Sequence, residues 1–98
     1  MEKKYTKWFD CDKINCELTV RTRRSGDYMA VSQSGGHKKL TRCMINDKIP
    51  GELRGKLPLV VDGNEVLWIV GGRINERYKI TSETGRVLEI TYQGGNVQ

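Results

Sequence analysis

Residues 17–23, ELTVRTR, alternate with period two: Leu18, Val20 and Thr22 share one face, and Thr19, Arg21 and Arg23 share the other. That spacing predicts a half-buried strand with an arginine-bearing outer face. Ser25, Gly26 and Asp27 break it with turn chemistry, Asp27 capping its own turn by accepting backbone N–H groups. Residues 28–31, YMAV, read as a short strand that runs into a turn at Gly35 and Gly36. From Lys38 the period changes. Leu40, Cys43 and Met44 fall at i, i+3 and i+4, the apolar face of a short amphipathic helix. Lys38, Lys39 and Arg42 then belong to its first turns, where cations oppose the helix macrodipole and a bound phosphate would relieve the conflict. Asn46, Asp47 and Lys48 end this helix, and residues 49–54 predict a second helical turn with Pro50 near its start.

The second half reads as strands. Residues 57–61, LPLVV, form an apolar run, Asp62-Gly63-Asn64 is a hairpin signal, and residues 65–70, EVLWIV, return almost without a polar break. Such continuity implies burial on both faces and places Trp68 in the core. Residues 86–92 alternate again, with Leu88, Ile90 and Tyr92 directed inward and Leu88 expected in the core. Neither the charged start, MEKKYTKWFD, nor the end, residues 93–98, carries a predicted element, and both are expected to fray. The pattern is α+β: a strand-rich single domain over residues 1–98, with a short helical insert between its strand groups.

Charge sharpens this picture. The 98 residues carry a net +5, and the excess lies in one segment. Residues 21–42 hold Arg21, Arg23, Arg24, Lys38, Lys39 and Arg42 against Asp27 alone, together with the chain's one histidine, His37, while the stretches on either side balance. Such asymmetry points to an anionic partner, and nucleic acid is the commonest for a cytosolic domain. The first residues lack the apolar middle of a signal peptide, and no apolar run approaches the ~20 residues of a membrane span. A cytoplasmic protein with no membrane partner is expected. Three cysteines, Cys11, Cys16 and Cys43, without a CxxC pair give neither a disulfide framework nor a zinc site.

The stretch SGGHKKL, residues 34–40, has the glycines and cations of a phosphate loop but not the spacing. A P-loop requires G-x-x-x-x-G-K-[ST]. An ATP-pyrophosphatase loop of the SGGxDS kind requires an acid and a serine where Lys38 and Lys39 stand. His37 has no carboxylate nearby in sequence to orient it as a base, and Cys43 lies on the helix's apolar face. No acid–base pair, triad or metal cluster emerges. This chain by itself is therefore not expected to be an enzyme or to hold a cofactor.

Five segments, WFDCDKI, LTVRTRRSGDYM, GGHKKLTRCMINDKIP, ELRGKLPLVVDGNEVLWIVGGRI and KITSETGRVLEITY, taken in order from Trp8 to Tyr92, resemble the C-terminal domain of the tRNA(Ile)-lysidine synthetases. The resemblance implies an α+β fold of mixed strands like a domain of the phenylalanyl-tRNA synthetase β chain, with a core over about residues 8–92. It implies an appendage that binds tRNA(Ile) near its acceptor stem. The parent that the resemblance implies is a ligase of tRNA processing that joins lysine to the wobble cytidine, with ATP and magnesium held by an N-terminal catalytic domain of the same polypeptide. Arg21, Arg23, Arg24, His37, Lys38, Lys39 and Arg42 become the candidate RNA contacts, with Arg54, Arg73 and Arg77 behind them. Arg54 has a competing structural reading as a partner of Asp27 or Asp47. The alternative function is a basic module that meets other domains or subunits and touches RNA only secondarily.

Overall fold

A computed structural model describes residues 3–15, 17–32 and 36–94. Seven strands and two short α-helices are described: β1 (Lys3–Asp10), β2 (Leu18–Arg21), β3 (Tyr28–Ala30), β4 (His37–Lys39), α1 (Leu40–Asn46), α2 (Gly51–Arg54), β5 (Leu59–Asp62), β6 (Glu65–Ile69) and β7 (Val87–Gly94). Two 3₁₀ turns, Cys11–Lys13 and Glu76–Tyr78, link them. No described helix is long and apolar enough to cross a membrane.

Five strands form one sheet in the order β2-β5-β6-β3-β4, and β1 and β7 form a separate antiparallel ribbon. The larger sheet is mixed, because β3 runs parallel to β6, pairing Tyr28 with Glu65, while its other neighbours are antiparallel. Every residue of β5 and β6 is buried, as the nearly continuous apolar run of residues 65–70 predicted for β6. Each face of the sheet has its own core. On one, Met29, Leu59, Val61, Val66 and Ile69 pack with Leu40, Cys43 and Met44, the three residues of the predicted helical stripe. On the other, Val60, Leu67 and Trp68 pack with Phe9 and Tyr78, against partly buried Tyr5, Ile90 and Tyr92 of the ribbon. A bulge makes this possible. Val60 pairs with Trp68 but Val61 with Val66, so Leu67 is an extra residue, and both Leu67 and Trp68 reach the second core. The chain is three layers deep: helices, sheet, ribbon.

Four expectations need correction. Residues 3–10 are a paired strand and not a loose end: β1 pairs with β7 along eight residues, Lys3↔Gly94 to Asp10↔Val87, and Met1 and Glu2 lie outside the described residues. The tail is shorter than expected for the same reason, since β7 runs through Gly94, and residues 95–98 lie outside the described residues. Leu88 is only partly buried, because it belongs to the outer ribbon and not the central sheet. Val20 is 56% exposed, since β2 is an edge strand and only Leu18 reaches the second core. Of the predicted turn at Gly35 and Gly36, Gly35 falls outside the described residues, as does Cys16, while the Gly36 carbonyl accepts the Val31 N–H at 2.9 Å.

Candidate nucleic-acid interface

Asp27 organises the basic segment. Its side chain is 1% exposed and accepts from both terminal nitrogens of Arg21, each at 2.8 Å, from the Arg24 backbone N–H at 2.7 Å and from the Asn64 amide at 3.2 Å. The Arg24 bond is the turn cap that the sequence predicts. Its carbonyl accepts the Leu40 N–H at 2.9 Å, and the Asn64 carbonyl accepts the Tyr28 N–H at 3.0 Å. One residue thus ties the end of β2, the β5–β6 hairpin and the first turn of α1. Burial pushes the Asp27 carboxyl up, but the Arg21 guanidinium and the two N–H donors outweigh it and hold it below the usual carboxylate range. The same hydrogen bonds raise Arg21.

This pairing overturns the expected outward face of β2. Arg21 turns onto Asp27 and its side chain is only 11% exposed, while Arg23 lies beyond the strand. Lys38 and Lys39 are also relocated. They sit with His37 in β4, paired with β3 through Met29↔Lys38 and Tyr28↔Lys39, and α1 begins only at Leu40. The dipole conflict predicted for these two lysines therefore does not arise within the helix; only Arg42 is helical.

The second-tier arginines are engaged elsewhere. Arg73 donates from Nε to Asp47 at 2.9 Å, and its guanidinium is raised mainly by that hydrogen bonding. Arg54 donates to the Ile49 carbonyl at 2.9 Å, so it pairs with neither Asp27 nor Asp47. Arg77 donates to Glu65 at 2.9 Å and to the Tyr78 hydroxyl at 3.0 Å. Cys43 is fully buried, and burial pushes its thiol up, the opposite of what a nucleophile needs.

What remains is a set of exposed cations with no carboxylate partner among the described residues: Arg23, Arg24, Lys38, Lys39 and Arg42. They surround two adjoining concavities. A cleft of about 380 Å³ is walled by Arg23, Arg24, Tyr28 and Lys39. A broader hollow of about 660 Å³ is lined by Lys38, Lys39, Thr41, Arg42 and Ile45. Lys39 and Thr41 belong to both, so the two form a continuous surface. His37 is exposed beside it, with its ring edge-on to Tyr28 at 4.9 Å between centroids. Sequence reasoning found every one of these cations but missed Tyr28, whose only signal was its place in the short strand after the Asp27 turn.

Fold and surface together define a small α+β domain that carries five exposed cations around two adjoining hollows. The family model described as TilS substrate C-terminal domain matches residues 18–90. The chain belongs to that family. It is 43% identical over 88 residues to the tRNA(Ile)-lysidine synthase of Caldanaerobacter subterraneus subsp. tengcongensis, covering 90% of this chain and 19% of that protein. With the enzyme of Clostridium tetani it shares 42% over 90 residues, covering 92% of this chain and 19% of that protein. Among solved structures it matches a crystal structure of a TilS C-terminal domain with a TM-score of 0.68 at 25% identity, covering 99% of this chain and 85% of that one. The chain spans about a fifth of the length of the relatives it matches.

Proposed function

We propose that this chain is the tRNA-recognising part of a tRNA(Ile)-lysidine synthase, and that Arg23, Arg24, Lys38, Lys39 and Arg42 hold the RNA backbone. The supporting observation is the division of the cations. Arg21, Arg54, Arg73 and Arg77 are bound to the protein's own acceptors, whereas these five are exposed, have no carboxylate partner among the described residues and border two adjoining hollows. Phosphates and 2′-hydroxyls are what paired RNA offers such a surface, since its deep major groove hides the base edges. The arginines fork onto phosphate oxygens, and the lysines act as adaptable point charges. His37 adds a donor at the rim. Catalysis, with ATP, magnesium and lysine, belongs in this reading to an N-terminal domain of the parent enzyme, and this chain supplies affinity and orientation.

Titration with tRNA(Ile) at several salt concentrations tests the reading. Each phosphate contact contributes roughly −0.7 to −0.9 to the slope of log affinity against log salt. A Lys38→Ala/Lys39→Ala double variant should weaken binding and flatten that slope by up to about two contacts' worth. Lys4 and Lys7 of β1 line neither concavity and serve as the control. Equal losses from the Lys4/Lys7 and Lys38/Lys39 pairs would reduce the effect to overall charge and remove support for the surface.

A further inference from the structure

The cleft between the Arg23–Tyr28 turn and the start of α1 has a shape that backbone tracking alone does not require. Phosphates on a duplex lie on a convex surface with the bases stacked inside, so a flat or ridged array of cations suffices to meet them. Here the cations instead border a concavity of about 380 Å³, within the ~300–1,000 Å³ of small-ligand sites. Its lining residues are chemically mixed: Arg23, Arg24 and Lys39 carry cations, Ser25 and Thr41 hydroxyls, and Tyr28 an aromatic ring. Those are the elements needed for phosphate, sugar and base.

The cleft is also preformed. Its floor is the buried Asp27, whose carboxylate fixes the Arg24 backbone at 2.7 Å and whose carbonyl fixes Leu40 at 2.9 Å, so both walls hang from one residue. The Tyr28 ring is braced from the strand side by His37. Gly26, at φ +91°, makes the turn at a position where no side chain narrows the opening. A rigid aromatic beside free cations is the arrangement on which an unstacked base and its phosphate bind together.

We infer that this cleft takes one unpaired ribonucleotide, its base against Tyr28 and its phosphate toward Arg23, Arg24 and Lys39, while the broader hollow at Lys38 and Arg42 holds the adjoining paired backbone. The surface then reads a junction between paired and unpaired RNA. This deepens the backbone-binding reading above and rests on it.

Three RNA probes with the same short duplex separate the two ideas: one blunt, one with a single overhanging 3′ nucleotide, one with a single-nucleotide bulge. In fluorescence anisotropy titrations the unpaired nucleotide should raise affinity about fivefold or more over the blunt duplex, the gain expected from one base stacked on an aromatic ring. Tyr28→Ala should abolish that gain, so that the three probes bind alike, and Tyr28→Phe should keep it. Ser25→Phe, at an exposed turn position, fills the cleft without touching either core and should abolish the gain as well. Lys38→Ala/Lys39→Ala should weaken all three probes. Equal affinity of the unaltered protein for all three would overturn this inference and leave the basic surface standing. Binding to none of them would overturn both.

Discussion

Arg21 and Asp27, six residues apart across a turn, meet in a two-pronged ion pair with both N···O distances at 2.8 Å, and the carboxylate is shielded from water. Removing one member of such a buried pair leaves the other charge desolvated and uncompensated, at a cost of about 3–5 kcal/mol. Arg21→Ala should therefore lower unfolding free energy by roughly that amount in chemical denaturation. Arg23→Ala, two residues on, removes an exposed and unpaired cation and should change stability by less than about 1 kcal/mol while weakening RNA binding. A reversed order, with Arg23→Ala the more destabilising, would contradict the pairing.

That contrast marks the limit of what the sequence makes legible. The charge cluster, the helical stripe of Leu40, Cys43 and Met44, and the buried hairpin of β5 and β6 all follow from local period and composition. Which arginines are free does not. Asp47 and Arg73 meet across 26 residues, and nothing local in either segment announces the partner. β1 is hidden for the same reason, since its pairing partner β7 lies at the far end of the chain. β4 escapes notice because three residues are too few to show a period. His37, Lys38 and Lys39 directly precede a helix and so read as its first turn.

Stability should fall at both extremes of pH, through different groups. Asp27 titrates below its ordinary value in the folded protein, so its contribution is full above the unfolded value of ~3.9 and is lost as pH drops through the lower folded value. Tyr78 is raised, chiefly by burial and then by Glu65 nearby, so the fold favours its neutral form. Its contribution is full below the unfolded value of ~10 and is lost as pH climbs toward the higher folded value. Melting temperature measured against pH should show both limbs. Tyr78→Phe should flatten the alkaline limb and leave the acid limb in place; an unchanged alkaline limb would assign that loss to other groups.

Two glycines should respond oppositely to alanine. Gly71 sits at φ +85°, with the Tyr5 ring 3.5 Å from where a Cβ would stand, so the contact is ordinary and the backbone is the obstacle. Gly71→Ala should cost about 1–2 kcal/mol, the penalty of an L-residue in left-handed space. Gly55, after α2, has φ −89° and ψ −1°, with nothing within 4 Å of an added Cβ. Gly55→Ala should stabilise by about 0.4–1 kcal/mol, by restricting the unfolded chain. Thermal denaturation of the two single variants reads both signs directly, and equal shifts would show that the backbone assignment at one of them is wrong.

Trp68 offers a test of how the second core is held. The side chain is fully buried and packs against Phe9 at 6.0 Å between ring centroids, but its indole N–H has no hydrogen-bond partner among the described residues. Trp68→Ala should cost about 3–5 kcal/mol through the lost contacts and the cavity left behind. In a domain whose total stability is on the order of 5–15 kcal/mol, that is a large share. Trp68→Phe keeps an aromatic ring against Phe9 and removes a buried donor whose lack of a partner itself carries a penalty of about 1–3 kcal/mol. The two effects of the smaller ring, lost area and a relieved N–H, therefore oppose each other. The phenylalanine variant should stay within about 2 kcal/mol of the parent, well above the alanine variant. If phenylalanine proved as damaging as alanine, the indole N–H would have to be making a bond essential to this core.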